Sequence, residues 1–320
     1  MLYAVFILAA IVVVGGAIYL NQFGDVISKK SSLNGAMVGT FLIAGATSLP
    51  ELTTSITAVY IDNPDIAVGN MLGSNVFNLL ILAIVDIIYR RRRLFQNVNH
   101  QGNIPSALIG LVFLGIIIAS LIIPESVNIF GVGLEMFIIV ALYFITVKFI
   151  TKGDSDELED TSSNDLSLNK AVVGFIISAI VVFVAGSLLS ISGDQLAVAT
   201  GMNASFVGSF LIAASTSLPE FVTVLAAFKL ANYNMAIGSI LGSNLFNIQL
   251  LALTDALYRK GPILSAVDSS HVFIAILGFV MTIVMIYLLI RPAKSMSQLR
   301  YTTPSFLIAV LYLVVSYVLF

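Results

Sequence analysis

The sequence contains no cysteine, and charged residues make up only 10% of its 320 positions. Without cysteine, the chain has no disulfide bond and no thiolate ligand for a metal. A soluble domain carries about 25% charged residues, so the scarcity of charge argues against a soluble fold. The net charge of −2 gives no indication of an electrostatic partner, and we expect no nucleic acid partner.

Apolar runs recur from one end of the chain to the other. Hydrophobic residues make up 58% of the sequence, and its mean hydropathy is +1.03. The runs are long enough for helices that cross a hydrocarbon core of ~30 Å. The fold class that this predicts is an all-α polytopic membrane protein with ten transmembrane helices in the lipid bilayer. We place them near residues 2–21, 33–61, 66–88, 104–123, 127–149, 170–191, 203–229, 233–257, 271–290 and 303–320.

The basic residues predict an orientation. Of the fifteen lysines and arginines, thirteen fall in loops on one side, and only Arg259 and Lys260 fall on the other. Loops rich in lysine and arginine remain in the cytoplasm. We therefore expect a multi-pass protein of the cell (plasma) membrane with both termini outside. The acidic loop 151–170 would then be cytoplasmic. It lacks the spacing of an EF-hand, which favours a solvated linker over a regulatory Ca²⁺ site.

An internal repeat divides the chain into two halves. The segment GTFLIAGATSLPE at 39–51 returns as GSFLIAASTSLPE at 208–220, and GNMLGSNVFN at 69–78 returns as GSILGSNLFN at 238–247. The offset is 169 residues for both motifs. We predict one five-helix repeat over 1–150 with its motifs at 39–78, an acidic loop over 151–169, and a second five-helix repeat over 170–320 with its motifs at 208–247.

The odd number of helices in each repeat has a topological consequence. After five crossings the second repeat enters the membrane from the opposite side, so the repeats are inverted about an axis in the membrane plane. This architecture is found in secondary transporters, whose ion sites lie near the midplane between the repeats.

Two carboxylates lie near the middle of predicted spans, and they are the repeat mates Glu51 and Glu220. An ionisable residue at this depth is costly, so its default interpretation is functional. Each follows a proline, Pro50 or Pro219, which we expect to break helix 2 or helix 7. A broken helix frees backbone carbonyl groups, and these are tolerated at this depth where they line a cavity or bind a ligand.

The candidate ligands around the two glutamates are all oxygen atoms. They come from hydroxyl groups beside the prolines, from a serine and an asparagine on one helical face of each GSN motif, and from freed carbonyl groups. Such a set suits Ca²⁺ or Na⁺ and argues against Zn²⁺ or copper. It comprises Thr47, Ser48, Ser74, Asn78, Thr216, Ser217, Ser243 and Asn247, with the carbonyl groups of Ala44 and Ala213.

The sequence TSLPE occurs twice, and each copy is followed by a GxxxGSN segment. With these motifs the chain resembles the α-repeats of the calcium/cation antiporter superfamily, and more closely its sodium/calcium exchanger branch of the prokaryotic type. The resemblance spans essentially the whole chain. It implies Ca²⁺ export in exchange for Na⁺ by alternating access, in which helices 1 and 6 slide over the remaining core.

The resemblance also implies roles for the site residues. Glu51 and Glu220 would ligate Ca²⁺. The flanking Na⁺ sites would be formed by Thr47, Ser48, Thr216 and Ser217 with the carbonyl groups of Ala44 and Ala213. The central site would be completed by Ser74, Asn78, Ser243 and Asn247.

The chain departs from this branch at one point. Its members often carry an aspartate at the position of Asn78 or Asn247, and both residues are asparagine here. The central site therefore has at most two negative charges, which balance one Ca²⁺, two Na⁺ or two H⁺. Burial favours protonated glutamate, so Ca²⁺/H⁺ antiport is the alternative.

Two further classes of function, a cation channel and an intramembrane enzyme, fit the sequence less well. A cation channel would need the same oxygen ligands, but inverted repeats with two broken helices favour alternating access. An intramembrane enzyme is disfavoured because the sequence shows no nucleophile–base pair and no histidine-based metal motif. We therefore expect no enzymatic activity and no cofactor beyond the transported ions. The sequence does not determine the oligomeric state, and a monomer is compatible with it.

Overall fold

The computed structural model describes residues 2–30, 46–96, 98, 100–123, 127–150, 166–291 and 296–320. Almost all of them are helical. The helices are α1 (Leu2–Lys30), α2 (Leu49–Tyr60), α3 (Pro64–Ile88), α4 (His100–Ile122), α5 (Leu134–Ile150), α6 (Leu168–Thr200), α7 (Ala204–Thr216), α8 (Leu218–Lys229), α9 (Tyr233–Leu257), α10 (Ser270–Ile290) and α11 (Gln298–Leu319). The first part of the predicted helix 2 and most of the acidic loop lie outside the described residues.

Within the described ranges, seven helices are long and apolar enough to cross a membrane. The pair α7 and α8 is an eighth candidate, bent by 41° where the helices meet. The chain is thus a multi-span helical membrane protein. The bend follows from Pro219, which has no backbone N–H to continue the helical ladder.

The predicted span over 127–149 is wrong at its start. A short antiparallel hairpin comes first, in which β1 (Asn128–Ile129) pairs with β2 (Val132–Gly133), and α5 follows it. The turn places Phe130 at a φ of 55° and Gly131 at 85°, which excludes a helix there. The apolar residues of this segment concealed the turn from a reading based on hydropathy.

The long helices α1 and α6 pack against each other at the edge of the bundle. Gly174 lies against the ring of Phe23, and Gly16 lies against Val182, so closely that a Cβ atom at either glycine would collide. The other faces of both helices expose isoleucine, leucine and valine side chains. Such faces suit contact with lipid.

Helices α3 and α9 form the centre of the bundle, and most of each is buried. On one side, α3 meets a π-helical segment of α7, Val207–Ile212. Gly69 and Gly73 of α3 face Ser209 of this segment, and a Cβ atom on Gly73 would overlap its backbone. Small residues allow membrane helices to approach this closely.

The central contact between α3 and α9 is reciprocal. The Nδ2 atom of Asn75 donates to the carbonyl group of Asn244 at 3.1 Å, and the Nδ2 atom of Asn244 donates to the carbonyl group of Asn75 at 3.0 Å. The two residues are 169 positions apart, which is the offset of the sequence repeat. Each repeat therefore supplies the same residue to the same bond.

The residues that precede α3 and α9 have similar conformations and the same capping bonds in both repeats. Asn63 and Asn232 cap these helices by accepting an N–H group from the first turn, at 3.1 and 3.0 Å. The preceding residues, Asp62 and Ala231, both have left-handed backbones, with φ of 63° and 57°. These two pairs again stand at the repeat offset.

Two buried aspartates accept hydrogen bonds at the C-terminal ends of the central helices α3 and α9. Asp255 accepts the N–H groups of Gly133 at 2.8 Å and Ile263 at 2.6 Å, and Asp86 accepts the hydroxyl groups of Tyr301 at 2.7 Å and of a serine at 2.6 Å. We therefore assign these carboxylates to the structure of the helix ends.

The close approach at Gly73 is testable. We expect Gly73→Ala to lower the free energy of unfolding by about 1–3 kcal/mol, because the added methyl group meets backbone that cannot move aside. The measurement is the melting temperature in detergent. Gly115→Ala is the control, since its Cβ would lie 3.8 Å from Phe279 in ordinary contact. Equal melting temperatures for both variants would refute the account of this contact.

Candidate cation site

Two helix starts bring the predicted carboxylates together at the centre of the bundle. Glu51 lies in the first turn of α2 and Glu220 in the first turn of α8, and each follows a proline at the start of its helix. Proline is favoured there because it sets φ and needs no N–H partner. The two helix starts therefore point acidic side chains at the region between the repeats.

Both carboxyl groups are buried, with Glu51 0% and Glu220 3% exposed. One oxygen of Glu51, Oε1, lies 3.4 Å from the hydroxyl group of Ser217, which is a long hydrogen bond. The Oε2 atom of Glu51 and both carboxylate oxygens of Glu220 have no donor among the described residues. The two groups are also close enough to repel each other when both are charged.

The side chains of Asn78 and Asn247 carry two buried amide oxygens on the central helices α3 and α9. Both residues are 0% exposed. The Nδ2 atom of Asn78 donates to the Oδ1 atom of Asn244 at 2.9 Å, and the Nδ2 atom of Asn247 donates to the Oδ1 atom of Asn75 at 3.1 Å. Their own Oδ1 atoms have no partner among the described residues. Buried polar atoms in this state are rare and need an explanation.

Some of the hydroxyl groups predicted as ligands contact one another or Asn70. Thr216 donates to the Oδ1 atom of Asn70 at 3.2 Å or to its own helix at Ala213, and it lies 3.4 Å from the hydroxyl group of Ser74. Ser48 is buried, and its hydroxyl oxygen has no partner within the described part of the chain.

Of three further predicted ligands, the structure describes Thr47 and Ser243 but not Ala44. Thr47 and Ser243, the repeat mates of Thr216 and Ser74, are both buried, with exposures of 9% and 8%. Ala44 lies outside the described residues, so its carbonyl group has no structural account here.

The carbonyl group of Ala213 differs from expectation. We expected it to be free, but it accepts the N–H group of Ser217 at 3.0 Å. The reason is the register of the break: Pro219 withholds its N–H from the residue four positions earlier, which is Ser215. A carbonyl oxygen has two lone pairs, so the predicted role of Ala213 stays a prediction.

The sequence did not single out Asn70, which the structure places between the repeats. Its Nδ2 atom donates to the carbonyl group of Glu51 at 3.0 Å, to Thr54 at 2.7 Å and to Ser55 at 3.0 Å, and its Oδ1 atom faces Thr216. Its repeat mate is a serine, so comparison of the repeats gave no signal. The only hint was a polar residue between buried apolar neighbours.

The chemistry of this cluster is that of hard oxygen ligands. Two carboxylates, two amide oxygens and several hydroxyl groups are the types that Ca²⁺ takes in sets of 6–8, whereas imidazole and thiolate are missing from the cluster. No group of three or more histidine, cysteine, aspartate or glutamate side chains among the described residues is suited to a metal ion. The negative charge of the site therefore comes from the two glutamates alone.

Comparison with known proteins identifies the family. The family described as sodium/calcium exchanger protein matches residues 1–152 and 170–320. The chain belongs to the sodium/calcium exchanger family. It is therefore a member of a family of ion-transporting antiporters, and cation/Ca²⁺ antiport is the activity class that this membership supports.

Individual proteins resemble the chain in sequence or in fold. The chain is 28% identical to an uncharacterized membrane protein of Methanocaldococcus jannaschii, over 80% of this chain and 82% of that protein. Its fold is similar to that of the H⁺/Ca²⁺ exchanger CAX, with a TM-score of 0.74, 14% identity and coverage of 99% of this chain and 84% of the other. It is also similar to the sodium-calcium exchanger NCX_Mj, with a TM-score of 0.60, 23% identity and coverage of 98% of each chain.

The carboxylate of Glu220 gives a direct test of the site. Ca²⁺ at 100 times its dissociation constant should stabilise the purified wild-type protein by about 2.7 kcal/mol, seen as a higher melting temperature. Glu220→Gln should lose most of this gain, because a neutral amide cannot balance the charge of the ion. Glu135→Gln, which changes a buried carboxyl group at the start of α5, should keep it. A full Ca²⁺ gain in Glu220→Gln would exclude this residue as a ligand.

Proposed function

We propose that this protein exports Ca²⁺ across the membrane in exchange for Na⁺ by alternating access. The observation that carries the proposal is the set of buried oxygens without donors on Glu51, Glu220, Asn78 and Asn247. In the membrane interior such atoms call for a bound cation or for protons. Membership of the sodium/calcium exchanger family supports Ca²⁺ as the cargo.

The buried oxygens without donors support the following ligand roles. Glu51 and Glu220 bind Ca²⁺ between the repeats, and Asn78 and Asn247 add their amide oxygens. The flanking Na⁺ sites use hydroxyl oxygens near the two helix breaks. The residues proposed for them are Thr47, Ser48, Thr216 and Ser217, with the carbonyl groups of Ala44 and Ala213. Ser74 and Ser243 are proposed to complete the central site.

The proposed architecture has ten spans in two inverted repeats. It is supported by the reciprocal bonds between Asn75 and Asn244, since two equal bonds between repeat mates are what a two-fold axis through this contact would produce. It is also supported by the matching helix caps at Asn63 and Asn232. A site on such an axis can open to either side of the membrane by equivalent movements of the two halves.

The proposed moving parts are α1 and α6. They lie at the lipid-facing edge of the bundle, whereas α3 and α9 are held together at its centre. Sliding of the paired helices along the core would expose the site to one side and then to the other. The orientation that we propose is both termini outside and the acidic loop in the cytoplasm of a plasma membrane, supported by the distribution of lysine and arginine.

Proton coupling is the second candidate, and it fits the charge of the site equally well. With asparagine at 78 and 247, the site holds two negative charges, which two protons neutralise as well as one Ca²⁺ or two Na⁺. A third Na⁺ would bring uncompensated charge into a region of low dielectric. The proposed exchange therefore moves two monovalent ions for each Ca²⁺.

Flux measurements test the proposal. Proteoliposomes loaded with Na⁺ and diluted into Na⁺-free medium should take up ⁴⁵Ca²⁺, whereas vesicles loaded with K⁺ should not. Glu51→Gln should abolish this uptake, because the remaining carboxylate balances only half of the charge of Ca²⁺. Glu135→Gln is the matched control and should transport normally.

The outcomes separate the two candidates. Uptake that needs internal Na⁺ supports sodium–calcium exchange. Uptake in K⁺-loaded vesicles that follows internal acid instead would assign the protein to the proton-coupled class. Uptake that needs no counter-ion and does not saturate would contradict antiport and indicate a channel.

A further inference from the structure

We propose that Asn75 and Asn244 are positioning residues that orient the amide groups of Asn247 and Asn78, respectively, toward the bound cation. The inference rests on the proposed function and concerns the same site. An asparagine side chain presents an oxygen to a cation in one orientation and an NH₂ group in the other, which differ by a half-turn of the amide. Only the first orientation binds a cation.

The orientation of Asn75 and Asn244 is determined by the backbone. Each side chain lies beside the main-chain carbonyl group of the other residue, at 3.1 and 3.0 Å. A carbonyl oxygen only accepts hydrogen bonds, so the NH₂ group of each asparagine must face it. This leaves the Oδ1 atom of each residue on the opposite side of its amide.

The orientation of the two ligand residues follows from this first step. The Oδ1 atom of Asn244 faces the side chain of Asn78 at 2.9 Å, and the Oδ1 atom of Asn75 faces the side chain of Asn247 at 3.1 Å. Since these Oδ1 atoms only accept, the ligand residues must turn their NH₂ groups toward them. Their own Oδ1 atoms are left without partners, which is what the structure shows.

The four asparagines form a frame, by which we mean Asn75, Asn78, Asn244 and Asn247 with their four hydrogen bonds. The bonds to the ligand residues cross from one repeat to the other, so each repeat orients a ligand of its mate. Asn75 and Asn244 reach the cation only through these ligands. They also line a small cavity away from the glutamates, together with Ser106 and Thr282.

The frame also selects the charge of the site. An ionised aspartate in place of Asn78 would place a carboxylate oxygen against the Oδ1 atom of Asn244, and neither atom would carry a hydrogen. Rotating the amide of Asn244 by a half-turn would bring its NH₂ group to the carboxylate, but it would break the bond of that group to the carbonyl group of Asn75. The frame therefore favours a neutral amide at both ligand positions and limits the site to the charges of Glu51 and Glu220.

The crossed pairing is tested by double-mutant cycles on Ca²⁺ affinity. Equilibrium binding of ⁴⁵Ca²⁺ to the purified full-length protein gives the dissociation constant. We expect Asn244→Leu to weaken binding roughly 10- to 100-fold, as for other residues that orient a metal ligand. In a chain that already carries Asn78→Ala, Asn244→Leu should raise the dissociation constant by less than about twofold, because the amide that Asn244 orients is absent.

The other pairing serves as an internal control. In a chain that carries Asn247→Ala, Asn244→Leu should have its full effect, since Asn78 is still present. Asn75→Leu should show the mirror pattern, losing its effect with Asn247→Ala and keeping it with Asn78→Ala. Thr282→Val should not change the affinity, because its hydroxyl group bonds within its own helix to Gly278 at 2.7 Å.

The outcomes distinguish this inference from the proposed function. A wild-type protein that binds no Ca²⁺ would overturn the proposed function and the frame's role with it. A wild-type protein that binds Ca²⁺ but shows equal effects of Asn244→Leu in both backgrounds would overturn the frame alone. If a leucine variant is not monodisperse, the smaller Asn244→Ala and Asn75→Ala enter the same cycles with the same expected pattern, because alanine also removes the acceptor.

Discussion

The burial of two carboxylates without hydrogen-bond donors constrains the rest of this structure. Three of the four carboxylate oxygens of Glu51 and Glu220 have no donor among the described residues. Neither lipid nor protein neutralises such groups, and an isolated buried charge costs several kcal/mol. In the proposed function the balancing positive charge arrives with an ion. This dependence gives a physical reason for exchange, because an ion that leaves without replacement exposes the two carboxylates to each other.

The surrounding helices divide into a fixed part and a peripheral part. Helices α3 and α9 are joined at their midpoints through backbone and side-chain bonds between Asn75 and Asn244, and close packing around Gly73 holds α3 against α7. By contrast, α1 and α6 contact the core through one face and expose apolar side chains on the other. In the proposed mechanism, an ion site held by α3 and α9 keeps its geometry while α1 and α6 move.

The features that the sequence predicted are those that depend on single residues or on the repeat. Pro219 predicted the break between α7 and α8, which the 41° bend confirms, and hydropathy predicted a multi-span helical bundle. The mates Glu51 and Glu220 were identified as buried acidic residues by their depth in an apolar span. Each of these predictions follows from local chemistry and needs no knowledge of which helices touch.

The features that the sequence did not predict depend on contacts between helices or on local backbone geometry. Asn70 has a serine as its repeat mate, and its position between the repeats follows only from the packing of α2, α3 and α7. Asn75 and Asn244 were visible in the GSN motif, but their reciprocal bonds across the bundle were not. The hairpin before α5 was missed because Phe130 and its neighbours are apolar and a turn has no hydropathy signal.

The most direct test of the central claim is the number of Ca²⁺ ions that the wild-type protein binds, and its response to Na⁺. Equilibrium binding in detergent at fixed pH should give one Ca²⁺ per chain, displaced completely as Na⁺ rises with a dependence on more than one Na⁺. This result would mean that both ions use the same two carboxylates. Ca²⁺ that stays bound at saturating Na⁺, and is displaced by neither Na⁺ nor acid, would contradict a single shared site between Glu51 and Glu220.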